Sequence, residues 1–209
     1  MPTRTDRRIR DAGSTRQVIL RVASELFAEK GFDAVSIQQV ADAAGVARAT
    51  PSYFFGSKEG LWIAVLDGQS RLAAGLFSQA VERLGDHPET GALIDELVDL
   101  VLEFEGQHPE FFRLLQWSQL QRNTLIDDST AHGEAVVAAL QAVATVLSGA
   151  ARSEFDARQL LLSVVALCAA HLTFGATLGP PLGLDPGDTG FVQDRSVHLK
   201  RLLRAALLP

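Results

Sequence analysis

Ser36–Lys58, SIQQVADAAGVARATPSYFFGSK, decides the fold. Ser36 is a hydroxyl cap with Gln39 three residues on, so the two can satisfy each other's orphan backbone donors, while Val35 and Val40 close over them as a hydrophobic staple. A helix therefore starts at Ser36. Val40, Ala41 and Ala44 give it one inward stripe, and Gly45 ends it where a left-handed residue is needed. Val46 packs back on the small Ala41, which lets a second helix, residues 47–54, cross closely. In that second helix Pro51, Phe54 and Phe55 fall at i, i+3 and i+4 and face inward, which turns Arg48, Ala49, Ser52 and Tyr53 outward. A guanidinium, a methyl, a hydroxyl and a phenol on one exposed face suit a major groove: Arg forks to guanine, Ala meets a thymine methyl and Tyr reaches a phosphate. Thr50 reaches in from the first turn, and Ser36 and Gln38 at the start of the first helix complete the candidate DNA-binding set. Ser57 caps a further helix with Lys58 in its first turn, where backbone N–H groups, helix dipole and ammonium converge on a possible phosphate.

Outward from this motif, residues 14–30 predict a packing helix opened by a Ser14/Gln17 capping box and closed by Gly31. Its stripe is Val18, Ile19, Val22, Ala23, Leu26 and Phe27, and Phe32 folds back on Phe27. Residues 14–56 thus form a three-helix helix-turn-helix domain. From residue 15 to residue 66 the chain resembles the DNA-binding domain of the tetracycline-repressor family. The family pattern G-V-S-x-G-T-L-Y-x-x-F-x-x-K-E is matched by Gly45, Val46, Thr50, Phe55, Lys58 and Glu59. Three departures from it matter: Ala47 replaces the usual serine cap, Pro51 replaces an aliphatic residue, and Ser52 stands in place of a phosphate-contacting tyrosine. The resemblance carries that last role to Tyr53, the next position.

The net charge of −6 fits a DNA binder only once divided, because residues 1–60 carry nine Lys/Arg against seven Asp/Glu and residues 61–209 carry ten against eighteen. The basic excess gathers in Arg4, Arg7, Arg8, Arg10 and Arg16, so residues 1–13 read as a disordered basic arm, either a solvated tail or a contact to phosphates. A single Cys168 excludes an intramolecular disulfide and no apolar leader opens the chain, so a cytoplasmic setting is expected. His87, His108, His132, His171 and His198 are scattered, and there is no metal-ligand spacing, nucleophile constellation or Gly-rich phosphate loop. No enzyme activity, metal or cofactor is assigned.

The rest of the chain reads as all-α. Residues 57–84 form a connecting helix, and residues 85–209 form a helical ligand-binding and dimerisation domain. Breaks fall at 85–88 and 106–109, with helices near 89–105, 109–122 and 134–151, a further helix at 155–178 capped by Ser153, a Pro/Gly-rich loop at 179–190 and a last helix at 189–207. Phe104, Phe111, Phe112 and Trp117 either fill a core or line a pocket. The resembled family's C-terminal domain often encloses an inducer pocket, and here Phe104, Phe111, Phe112, Trp117 and Phe174 offer an apolar cavity for a small-molecule effector, with Gln116 and His171 as polar handles. Residues 159–184 carry no charge, which is long enough for a membrane span, but the glycines, prolines and His171 within it favour burial in a second subunit. By resemblance the last two helices form the homodimer interface, with Leu160, Val164, Leu167, Leu199, Leu202 and Leu203 as its candidates. A two-fold dimer then calls for double-stranded DNA carrying an inverted-repeat operator.

Overall fold

The computed structural model describes residues 4–84, 89–121, 124–149 and 154–209. In order the helices are α1 (Arg4–Ala34), α2 (Ile37–Ala44), α3 (Thr50–Phe55), α4 (Lys58–Leu84), α5 (Thr90–Gln107), α6 (Pro109–Leu120), α7 (Thr130–Gly149), α8 (Ala157–Leu182) and α9 (Phe191–Leu207). A short 3-10 turn at Thr124–Asp128 precedes α7, and the described residues contain no strand. The fold is all-α, as expected. The break expected at residues 85–88 and the Ser153 cap lie outside the described residues.

The chain forms two compact units. One comprises residues 1–70 with 110–133, the other residues 71–109 with 134–209. The first unit is built on α1, whose Ile19, Val22, Ala23 and Phe27 are buried along one stripe. Its backbone is helical from Arg4, ten residues before the expected start. The segment has several arginines, which favour helix, and no proline, and extending an existing helix needs no new nucleus. At Gly31 the helical conformation is interrupted, with φ 77° and ψ 169°. Ser36 Oγ accepts the Gln39 N–H at 3.2 Å and the Ser36 N–H donates to Gln39 Oε1 at 2.7 Å, which closes the capping box that starts α2. Gly45 ends α2 at φ 66°, and the Val46 N–H returns to the Ala41 carbonyl at 3.0 Å. The core beneath is aromatic: Trp62 lies edge-on to Phe27 at 5.1 Å and to Phe32 at 5.4 Å between ring centroids.

Residues 110–133 pack with this unit, although in sequence they adjoin the C-terminal region. Leu114 is fully buried in its core. Trp117 Nε1–H donates to the Ala28 carbonyl at 3.1 Å, the Phe32 N–H donates to Gln121 Oε1 at 3.2 Å, and Ser129 Oγ donates to Asp67 Oδ1 at 2.7 Å. Ser129 also accepts the His132 N–H at 3.1 Å, and this cap starts α7 at Thr130, four residues before the expected position.

In the second unit α5, α7, α8 and α9 enclose Leu93, Leu97, Val98, Val143, Val146, Cys168, Leu199 and Leu203. A polar seam ties α5 to α9: Arg204 grips Asp95 through Nε at 2.9 Å and a terminal nitrogen at 2.8 Å, while Ser196 Oγ donates to Asp99 Oδ1 at 2.7 Å. Asp156 caps α8 by accepting the Arg158 N–H at 2.8 Å and the Gln159 N–H at 3.3 Å. The helix then runs four residues past its expected end, through Pro180 and Pro181. It closes at Gly183, φ 68°, where Gly183 N–H bonds the Pro180 carbonyl at 3.1 Å and Leu184 N–H the Gly179 carbonyl at 2.9 Å. In a final turn each proline removes only one backbone donor, and the doubled cap satisfies the carbonyls beyond. A Cβ at Gly179 would stand 2.6 Å from the Leu184 carbonyl oxygen, so glycine is what lets this cap fold back.

Candidate nucleic-acid interface and C-terminal polar cluster

α3 begins at Thr50, three residues after the expected start, because Ala47 has no oxygen with which to cap and the chain turns first, with Thr50 N–H on the Ala47 carbonyl at 2.8 Å. Pro51 then sits in the first helical turn, where its missing N–H costs little. It is buried, and Phe54 and Phe55 pack half-buried onto the first unit's core. With these three anchored, Arg48, Ala49, Ser52 and Tyr53 are all exposed, Tyr53 to 84%. The phenol lies edge-on to Phe54 at 5.2 Å, and the Arg16 guanidinium sits 5.0 Å over Phe55, which adds a positive charge beside the recognition helix.

The remaining candidates of this face have partners within the protein. Ser36 is engaged in the capping box, Gln38 Nε2 donates to Asp42 Oδ1 at 2.5 Å, and Thr50 is half-buried. The Lys58 ammonium lies 4.3 Å over the Phe32 ring and donates to the Asp33 carbonyl at 3.3 Å, so it ties α4 to the turn before α2. At the N-terminus of α4, Ser57 Oγ accepts the Gly60 N–H at 3.1 Å. The Ser57 hydrogen bond also holds the neighbouring Glu59 carboxyl below its usual range. That terminus already carries a carboxylate on its exposed first turn.

The seven candidate ligand contacts divide between the units. Phe111, Phe112, Gln116 and Trp117 belong to the first, where Gln116 and Trp117 border a groove of about 280 Å³ with Ala28, Glu29, Arg113 and Leu120. Phe104, His171 and Phe174 belong to the second: Phe104 is buried with its ring 4.6 Å from His108, and Phe174 is exposed. Of the six candidate interface leucines and valines, Leu199 and Leu203 are buried in their own core, and Leu160, Val164 and Leu167 pack partly against it. Leu199, Leu203 and Leu207 form one stripe with Ser196, buried within the chain, and Leu202 turns away from it, 43% exposed. The open apolar face of α8 is instead Leu162, Val165 and Leu172, with Leu162 66% exposed.

Inside the second unit lies a cluster only part of which the sequence reading named. Glu105 is 2% exposed, and neither of its carboxylate oxygens has a hydrogen-bond partner. His171 Nε2 is 4.0 Å away, Arg195 and Cys168 are within electrostatic reach, and Arg195 donates to the Leu167 carbonyl. Burial pushes the Glu105 carboxyl up to about 7, the Arg195 charge only partly opposing it. Burial likewise holds His171 below the usual histidine range. Burial also pushes the Cys168 thiol up to about 12, which leaves it an inert core residue. Glu105 could have been found from sequence, since it continues the stripe of Val98 and Leu102 at i+4 and i+7.

The family described as "Bacterial regulatory proteins, tetR family" matches residues 19–65, and a "Tetracyclin repressor-like, C-terminal domain" matches residues 91–202. The transcriptional repressor NicS of Pseudomonas putida is 30% identical over 195 residues, covering 90% of each chain. The regulator RutR of Escherichia coli K12 is 24% identical over 207 residues, 98% of this chain and 96% of that one. Among solved structures, a regulator from Saccharomonospora viridis in complex with choline superposes with TM-score 0.68 at 23% identity, covering 94% of this chain and 99% of that one. The ketosteroid regulator KstR2 of Mycobacterium tuberculosis does so with TM-score 0.67 at 15% identity, covering 93% and 95%. With its N-terminal helix-turn-helix and its C-terminal helices both matched, the chain belongs to the tetracycline-repressor family of DNA-binding transcriptional regulators.

Proposed function

We propose that the protein is a homodimeric repressor that binds an inverted-repeat operator and leaves it when a small molecule occupies the C-terminal unit. The observation that carries the DNA reading is the exposed quartet Arg48, Ala49, Ser52 and Tyr53, held outward by the buried Pro51. In this reading α3 lies in the major groove, Arg48 reads a base edge and Tyr53 contacts a phosphate. Two recognition helices in a two-fold dimer meet half-sites about 34–36 Å apart or a multiple of that. Arg48→Ala is expected to cost about 1–3 kcal/mol of operator binding and to relax one base preference, whereas Tyr53→Ala weakens all sites alike. Electrophoretic shift titrations on operator variants test this, and unchanged binding in both mutants would remove α3 from the groove.

For the dimer, the support is the uncharged outer face of α8. α8 and α7 are each long and apolar enough to cross a membrane by length and composition. On α8, however, Leu160, Val164 and Leu167 pack on the chain's own core and the same helix brings His171 to a buried carboxylate, so its outer face fits a second copy better than lipid. Leu162→Asp with Leu172→Asp is expected to turn a dimer into monomer or aggregate in sedimentation velocity, since an unpaired buried charge is costly. A wild-type monomer would contradict it.

What supports effector release is the match of the C-terminal helices to the family's C-terminal domain. A coupling of about 1–3 kcal/mol weakens operator binding roughly 5–150-fold, and the operator must weaken effector binding by the same factor. Calorimetric titration of effector with and without operator checks that equality. Equal effector affinities in the two titrations would leave a regulator without induction. Such a protein acts in the cytoplasm, beside the DNA it binds.

A further inference from the structure

We propose that Glu105 and His171 are the polar anchor of a small-molecule site in the C-terminal unit, and that its ligand is an uncharged compound carrying an N–H donor beside an acceptor, as in an amide, lactam or urea. The proposal rests on reading that unit as the effector-binding one, and it names the chemistry of the effector.

His171 Nδ1 lies 2.9 Å from the Cys168 carbonyl oxygen, which only accepts, so in the neutral ring Nδ1 carries the hydrogen and Nε2 is left as an acceptor. Facing Nε2 at 4.0 Å is Glu105, whose two oxygens are buried without a hydrogen-bond partner and offer an acceptor in either protonation state. Two acceptors 4.0 Å apart are too far to bond to each other, yet one donor atom can stand at about 2.8–2.9 Å from both. A buried carboxylate left in this state is costly, and a ligand donor placed between the pair would remove that cost.

Arg195 sets the ligand's charge. It supplies the positive charge that Glu105 senses, so a cationic ligand would meet a second cation and an anionic one would meet Glu105. Its Nε–H is itself buried without a partner, a spare donor in the same cluster for an acceptor next to the ligand's N–H. The side chain of His171 is 12% exposed and that of Glu105 2%, so the imidazole is the more accessible of the two groups.

Titration calorimetry on the full-length protein with δ-valerolactam, N-methyl-δ-valerolactam and piperidinium chloride tests the proposal. The lactam is expected to bind, and the N-methyl compound and the cation to bind at least about tenfold more weakly, as expected for losing a hydrogen bond to a charged group. Glu105→Leu should weaken the lactam by about 10- to 100-fold, with helix content by circular dichroism unchanged, and Glu105→Gln, which keeps an acceptor oxygen, should fall between. Absence of lactam binding, equal binding of the lactam and its N-methyl derivative, or wild-type binding in both Glu105 variants would overturn the site. Lactam binding that is lost in Glu105→Leu but leaves operator affinity unchanged supports the site and removes effector release from the proposed function.

Discussion

Gly31→Ala is expected to destabilise the N-terminal unit by about 2–5 kcal/mol, a large share of the stability of an ordinary domain. Two independent costs meet at this residue. Its backbone, φ 77° and ψ 169°, lies in a region that is almost exclusively glycine's, where a side chain costs about 1–3 kcal/mol. The added methyl would also stand 2.9 Å from both Cδ2 and Cε3 of Trp117, closer than atoms pack, and the ring can yield only by straining its bond to the Ala28 carbonyl. Urea unfolding followed by tryptophan fluorescence measures the loss, since Trp62 and Trp117 both sit in this unit. A change under about 1 kcal/mol would show that neither constraint holds in solution.

The second large effect is a pH dependence carried by one residue. Because the Glu105 carboxyl titrates near 7 in the folded chain and in the ordinary glutamate range when unfolded, the folded state holds a proton that the unfolded state has released. Its stabilising contribution is therefore full at acid pH and is lost as pH rises through about 7, the reverse of a salt-bridged carboxylate. The loss amounts to about 2–3 kcal/mol between about pH 5 and about pH 8. The groups facing Glu105 are His171 and Cys168 from α8 and Arg195 from α9, and the Cys168 thiol, pushed up to about 12, does not change charge in that interval. Glu105→Gln removes the titrating proton without changing shape, so wild-type minus mutant stability, measured by urea unfolding at both pH values, isolates the effect. A difference that stays constant with pH would show that Glu105 is paired or hydrated in solution.

The features that were legible in the sequence are those whose cause is local. The Ser36/Gln39 box, Gly45 and the inward Pro51, Phe54 and Phe55 each follow from residues within a few positions, and the structure places them where the pattern put them. Local reasoning erred by a few residues where caps competed: Ser129 starts α7 before its apolar run begins, and Asp156 caps α8 while Gly183 closes it beyond two prolines. Long-range partners were not legible. A helical wheel shows that Leu199, Leu202 and Leu203 lie near one another, but not that two of them face their own α5 and one faces outward. Trp117 and Phe104 read alike as apolar bulk, yet one bonds a carbonyl 89 residues earlier in the chain and the other lies in a different unit. Glu105 is masked by its residue type, because a charged side chain is ordinarily solvated even where it continues an apolar stripe.

The bonds from Trp117 to Ala28 and from Gln121 to Phe32 bear on how members of this family could be recombined. The DNA-reading head is a discontinuous object, made of residues 1–70 and 110–133, with a segment of the other unit inserted between them. A graft cut at residue 70 would give the new head a foreign tryptophan and glutamine, or none, opposite the carbonyl and N–H that end α1. Those backbone groups would then be orphaned beside the recognition motif. Exchange of operator specificity between relatives is therefore a two-segment operation. The alternative is to alter only Arg48, Ala49, Ser52 and Tyr53 and leave the head's own frame intact.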